Sequence, residues 1–386
     1  MKVLVTVVPQ AGHVYPLLPL TRALVEQGDD VVLATGPDAM PLAAESGARV
    51  TPVGKGFDAW WQALSARTRG VPGDGLAPER VIPYFLPRLF AEAGTVDMVD
   101  DLLALAKAFE PDIIVHDGFT FAAPLVAALL GVQSAHHTIG APVDVATLET
   151  CADVLSPLWR SMGRDVPPFA WIYSGVTVDV FPPSLGFAFP AIATDVRPMR
   201  PTPLPIRLRD AALPPSLAGL PERPIVYGTL GTMSNTDMSV FRAILDGLAD
   251  EPVNVVLTVG SNNDPAALSP VPANARVERF VPQATLLPHC SAVVHHAGSG
   301  TMLGALAHRL PQLAIPQGAD NFVNARLLES AGAGLLVPPG EVTAERVRGD
   351  VRAILDDARY RASASRVGDE IAGMPSPPQV AASLRR

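Results

Sequence analysis

The chain has 386 residues, with 29 Lys plus Arg against 38 Asp plus Glu and a formal net charge of −9. At about 150 residues per domain this leaves room for two or three domains. Hydrophobic residues make up 48% and charged residues only 17%, which excludes disorder as the dominant state. The acidic balance, without a basic stripe, argues against nucleic acid as a partner. Cys151 and Cys290 stand far apart and form neither a disulfide framework nor a metal knuckle. The apolar opening ends at Pro9 and Gln10, too early for a signal-peptide core. The run 122–132 is about half a membrane span, so no integral membrane segment is expected, and the cytoplasm is the expected location.

In chain order, residues 2–8 predict a buried strand that breaks at Pro9-Gln-Ala-Gly12 and passes into a helix over 15–27. A strand at 30–34 follows. Residues 57–100 differ from their surroundings: Phe57, Trp60, Trp61, Tyr84, Phe85 and Phe90 cluster there in a chain with 6% aromatics. This pattern fits either a satellite core under a long loop or an apolar binding wall. Residues 112–115 predict a further strand. Eight prolines then fall within the 27 residues from Pro198 to Pro224, which reads as an extended interdomain linker. Beyond it the opening pattern restarts, with a strand at 225–230, a break at Gly231-Thr232 and a helix over 238–248. Strands are expected at 253–259, 292–295 and 312–315. Helical segments separate most of these strands, as parallel sheets built from βα units require. The expected fold is α/β, with two Rossmann-like doubly wound domains facing across a cleft. The expected boundaries are 1–200, a linker at 201–222, 223–373, and a C-terminal tail at 374–386. Ligands then belong at the carboxyl ends of the strands.

Two positions at those ends suit proton transfer. His13 follows the first strand, and Asp117 directly follows the strand near residue 115. Parallel strands deliver both to one edge, where an imidazole can accept a proton while a carboxylate holds its tautomer. A lone histidine is otherwise structural. In the second half, the strand at 292–295 leads through His296 to Gly298-Ser-Gly300-Thr301 and a helical stretch. A strand, a glycine turn and a helix start bring free N–H groups and a positive dipole end together, which suits a diphosphate. His296 and the hydroxyls of Ser299 and Thr301 can add donors. The same spacing fits a packing turn or, with Asp320 about 20 residues on, a loose dinucleotide turn. Asp320 and Asn321 open a helix, where they can serve as N-cap residues or read a polyhydroxylated ligand. No HExxH is present, and no two Asp are separated by a single position, so no metal and no other cofactor is expected.

Together these elements resemble the GT-B glycosyltransferases that decorate natural products, the bacterial antibiotic sugar transferases related to UDP-glycosyltransferases. In that resemblance His13 falls on the catalytic base and Asp117 on the residue that orients it. Gly12, Thr229, Gly231 and Thr232 fall in loops near the donor. Phe280, Val281 and Gln283 fall in the element that clamps the nucleoside base. His296, Gly298, Ser299, Gly300 and Thr301 form the diphosphate loop, and Asp320 and Asn321 the sugar loop. The family usually ends the sugar loop in Asp-Gln, and a ribose-binding glutamate of the plant-type relatives is replaced here by Gly304. The resemblance implies metal-independent, inverting transfer of a sugar, expected to be a deoxysugar on thymidine diphosphate, to a hydroxyl of a hydrophobic secondary metabolite. Trp60, Trp61, Tyr84, Phe85 and Phe119 would line the acceptor. The partners implied are a nucleoside diphosphate sugar and a hydrophobic small-molecule acceptor, with a homodimer left open. A sugar-nucleotide 2-epimerase of the same architecture is the alternative; it needs no apolar acceptor wall.

Overall fold

The computed structural model describes residues 1–68, 72, 73, 75–186, 188–202, 213, 217, 220–231, 235, 237–260 and 262–385. Most of the predicted linker, and Thr232, lie outside the described residues. The chain divides into two compact units. The first comprises Met1–Val180, Phe187–Arg200 and Pro375–Arg386, and the second Phe181–Gly186 and Pro201–Met374.

The first unit carries seven strands: β1 (Lys2–Thr6), β2 (Asp30–Thr35), β3 (Arg49–Pro52), β4 (Ile113–Asp117), β5 (Gln133–His137), β6 (Val176–Asp179) and β7 (Asp195–Pro198). They pair in the order β3-β2-β1-β4-β5-β6-β7, all in parallel. The second unit holds β8 (Ile225–Thr229), β9 (Asn254–Thr258), β10 (Ala275–Glu278), β11 (Ala292–His295), β12 (Gln312–Ala314) and β13 (Gly334–Leu336). Their order is β10-β9-β8-β11-β12-β13, again all parallel. In both sheets the strand order reverses beside the first strand, at β1/β4 and at β8/β11. Crevices for ligands form at such switch points, outside the carboxyl ends of the strands.

The central strands are apolar on both faces because helices cover both. In the second unit, Val226, Val255, Val294 and Leu313 pack with Phe241, Ile244, Val347 and Ile354 on one face. Tyr227, Val256 and Val293 pack with Leu286, Leu287 and Leu310 on the other. Each such side chain, fully buried, contributes roughly 1.5–3 kcal/mol.

Two regions differ from the sequence expectation. Among the described residues of 57–100, helices span Phe57–Arg67, Val81–Phe85, a π-helical stretch Leu86–Gly94, and the start of Thr95–Phe109. The closing residues, expected as a tail, form the helix Pro377–Ser383, opened by a Ser376/Gln379 capping box. This helix is held to the first unit by Gln27 Nε2 donating to the Pro378 carbonyl (2.7 Å) and by Arg385 pairing with Asp29 (2.7 Å). It closes the apolar surface of Ala11–Glu26, which a free tail would leave in water.

Candidate active site

At the first switch point the helix Ala11–Glu26 begins immediately after β1 and carries His13 in its first turn. Asp117 ends β4. The two meet: His13 Nδ1 lies 2.7 Å from Asp117 Oδ2. Asp117 is fully buried and accepts three further bonds, from the Val8 N–H (3.3 Å), the Phe119 N–H (3.0 Å) and the Thr120 hydroxyl (2.6 Å). Burial works to raise its carboxyl, but the charge and hydrogen bond of His13, with those of Thr120 and Phe119, outweigh it and hold it below the usual range. With Nδ1–H donated to an ionised carboxylate, Nε2 carries the lone pair. The ring of Phe90 stacks on the imidazole at 5.7 Å and 26°, and Phe119 meets it edge-on at 5.2 Å. Gly12 lies beside His13 with open space where a Cβ would stand.

The expected apolar wall is sorted by burial. Trp60 is a core residue, 2% exposed, and its Nε1 donates to Asp97 Oδ2 (2.9 Å); its indole packs the insertion rather than lining a surface. Trp61, Tyr84, Phe85 and Phe119 are half-buried. Trp61 and Phe85 meet at 5.2 Å, and Tyr84 and Phe85 at 5.0 Å.

At the second switch point the helix Ser299–Ala307 starts after β11, with Gly298 at its N-cap and no side chain capping it. The first-turn N–H groups are therefore available to an anion. The hydroxyls assigned to the same ligand are engaged elsewhere: Ser299 Oγ donates to Asp320 Oδ2 (2.9 Å), and Thr301 Oγ accepts from Gln283 Nε2 (3.0 Å). What this helix start offers an anion is thus chiefly backbone. Burial pushes the His296 imidazole down to about 4, against an opposing bond to the Thr229 backbone, so near pH 7 it is a neutral group. Thr229 itself is buried, and its hydroxyl accepts from the Gly231 N–H (3.2 Å), tightening the turn after β8.

Phe280 is 53% exposed, whereas Val281 is 1% exposed and belongs to the core; a ligand can meet Val281 only through its backbone. Asp320 makes no cap bond to its helix Asn321–Ser330, so the ordinary N-cap role is not realised. Asn321 is buried, and its Oδ1 accepts the N–H groups of Gln317 (3.4 Å) and Gly318 (3.3 Å). It braces the loop from within, while Asp320 Oδ2 accepts from Ser299 Oγ (2.9 Å) and Asn324 Nδ2 (3.0 Å). Two residues of these sites were not singled out in the sequence. Phe90 was seen only as one aromatic of its cluster, and Asn324, which bonds Ala297, Ser299 and Asp320, carries no motif signal.

Solved structures share this architecture. The glycosyltransferase SnogD from Streptomyces nogalater is 29% identical, with a TM-score of 0.77, covering 100% of this chain and 98% of that one. SsfS6 from Streptomyces sp. SF2575, complexed with thymidine diphosphate, is 25% identical, with a TM-score of 0.80 and 100% and 99% coverage. Two doubly wound parallel-sheet units, shared with these solved glycosyltransferases, make this a GT-B glycosyltransferase. The chain belongs to the erythromycin biosynthesis protein CIII-like family, whose N-terminal domain model matches residues 83–203 and whose C-terminal domain model matches 242–386. The L-demethylnoviosyl transferase of Streptomyces niveus is 32% identical over 390 residues, covering 100% of this chain and 97% of that protein.

Proposed function

We propose that this glycosyltransferase moves a sugar, with inversion, from thymidine diphosphate to a hydroxyl of an apolar natural product. The observation that carries the reading is the 2.7 Å contact between His13 and Asp117 under two aromatic rings. His13 Nε2 takes the proton of the acceptor hydroxyl as that oxygen attacks the anomeric carbon. The bond from that carbon to the diphosphate breaks with its electron pair on the diphosphate. Asp117 steadies the imidazolium, as a buried carboxylate does for a histidine base. The departing charge is met by the N–H groups that open Ser299–Ala307, a preorganised site of the oxyanion-hole kind. The half-buried rings of Trp61, Tyr84, Phe85 and Phe119 suit an apolar acceptor.

Thymidine as the base rests on Gly304 and on the thymidine diphosphate bound by SsfS6. Packing does not demand glycine at 304, because a Cβ there would meet only Leu287 Cδ1, at 3.4 Å. What Gly304 omits is a carboxylate that a 2′-deoxyribose would leave without a partner. A deoxysugar as the transferred group is the extension of the same reading.

The test is a thermal-shift comparison of thymidine diphosphate with uridine diphosphate, followed by turnover of a thymidine diphosphate sugar. A ligand bound only by the folded state raises the melting temperature by mass action. Thymidine diphosphate should give the larger shift, and no shift with either nucleotide would remove the reading.

A further inference from the structure

Asn324 lies in the first turn of Asn321–Ser330 and is fully buried. Its Nδ2 lies 2.9 Å from the Ala297 carbonyl, 2.9 Å from Ser299 Oγ and 3.0 Å from Asp320 Oδ2. A carbonyl and a carboxylate can only accept, so the amide has one orientation. Ser299 Oγ in turn donates its own proton to Asp320 Oδ2. One oxygen of Asp320 is thus occupied by two donors, while Oδ1 has a single long contact, 3.4 Å from Asn321 Nδ2. The segments tied together here are both bent through left-handed non-glycine residues, Ala297 at φ 64 and Ala319 at φ 52. Such conformations persist only where the surroundings over-determine them.

Resting on the donor site described above, we propose that Asn324 is a positioning residue that locks Asp320 to the diphosphate loop through Oδ2 and thereby presents Oδ1 to a sugar hydroxyl. The distance from sugar reader to diphosphate is then fixed by a side-chain amide rather than by loop backbone alone. Alanine at 324 frees the Asp320 carboxylate to rotate, and aspartate sets a second carboxylate against it.

The test measures two quantities on the full chain: the Kd of thymidine diphosphate by calorimetry, and kcat and KM for its release from thymidine diphosphate glucose. Misplacing a reacting group by about 1 Å can cost on the order of 100-fold. Asn324→Ala should accordingly lower kcat/KM by roughly 30-fold or more, while the Kd of the bare nucleotide moves less than about threefold. In an Asp320→Asn background the same change should cost less than about threefold further, because its route of action is gone. Ser299→Ala, which removes less volume, runs the same cycle if Asn324→Ala fails to melt cooperatively. Equal losses in nucleotide affinity and in kcat/KM, additive losses in the cycle, or no loss at all would overturn the proposal. Failure of the wild type to bind thymidine diphosphate would instead fall on the donor reading itself.

Discussion

A Cβ on Gly298 would lie 2.3 Å from Nε2 of His296, and one on Gly231 would lie 2.5 Å from its Cε1. The imidazole therefore fills space that two side chains have given up, and it stands between the turns that follow β8 and β11. Gly298→Ala must move His296 and should cost roughly 1–3 kcal/mol, as overpacking does. Gly300 is the contrast, with open space beside it. Gly300→Val should leave the melting temperature nearly unchanged yet weaken thymidine diphosphate by at least about tenfold, since the branched side chain stands where an anion approaches the helix start. Calorimetry and thermal melts on the pair separate the two effects, and retained nucleotide affinity in Gly300→Val would remove the anion site from this turn.

His13→Ala should reduce turnover by about 100-fold or more, the scale of a positioned base, with the Kd of thymidine diphosphate unchanged. Asp117→Asn should be comparably slow for a different reason. All four groups around Asp117 donate to it, so an amide NH₂ must face one of them. Near-normal kcat in either variant would take the dyad out of the mechanism.

Stability should fall on mild acidification. Burial pushes His137 and His296 down to about 4 and His295 to about 3, and it also lowers His116 and His136. For His137, His295 and His296, between the ordinary 6.5 and about 4, the unfolded chain binds more protons than the folded one. Their contribution is complete above pH 6.5 and is lost as pH drops, at about 1.4 kcal/mol per histidine per pH unit. Asp117, with a depressed carboxyl, loses its share only at lower pH. Urea melts at pH 7.5, 6.0 and 5.0 measure this, and a flat unfolding free energy would contradict it.

The preference for thymidine over uridine diphosphate glucose in kcat/KM should shrink or reverse in Gly304→Glu. The glutamate gains the uridine 2′-hydroxyl, and with thymidine it is left unpaired at about 1–3 kcal/mol. A wild-type preference for uridine would sink the idea.

The sequence was most legible where strands are apolar on both faces. β1, β2, β4, β8, β9, β11 and β12 stand out as runs that need no partner to be read. β3, β10 and β13 are mostly half-buried or exposed rather than fully apolar runs, and β5 ends in His136-His137; pairing in the sheet, not local composition, makes these segments strands. His13 and Asp117 were readable because switch-point geometry follows from strand order. The aromatic insertion was harder, because the spacing of Trp60 and Trp61 does not reveal which ring turns inward. Asn324 was invisible, since its significance lies in acceptors 25 and 27 positions away.

The placement of Pro375–Arg386 bears on how such enzymes are recombined. A hybrid joined within the proline-rich stretch, with a relative's second half attached, would carry that relative's closing helix onto this chain's Ala11–Glu26. The foreign helix would still offer Gln27 a backbone carbonyl, but it would leave Asp29 without the Arg385 pairing unless it carried a basic side chain at that position. Hybrids meant to exchange only the donor specificity therefore need a second junction near Met374, which returns the native last helix to its own seat.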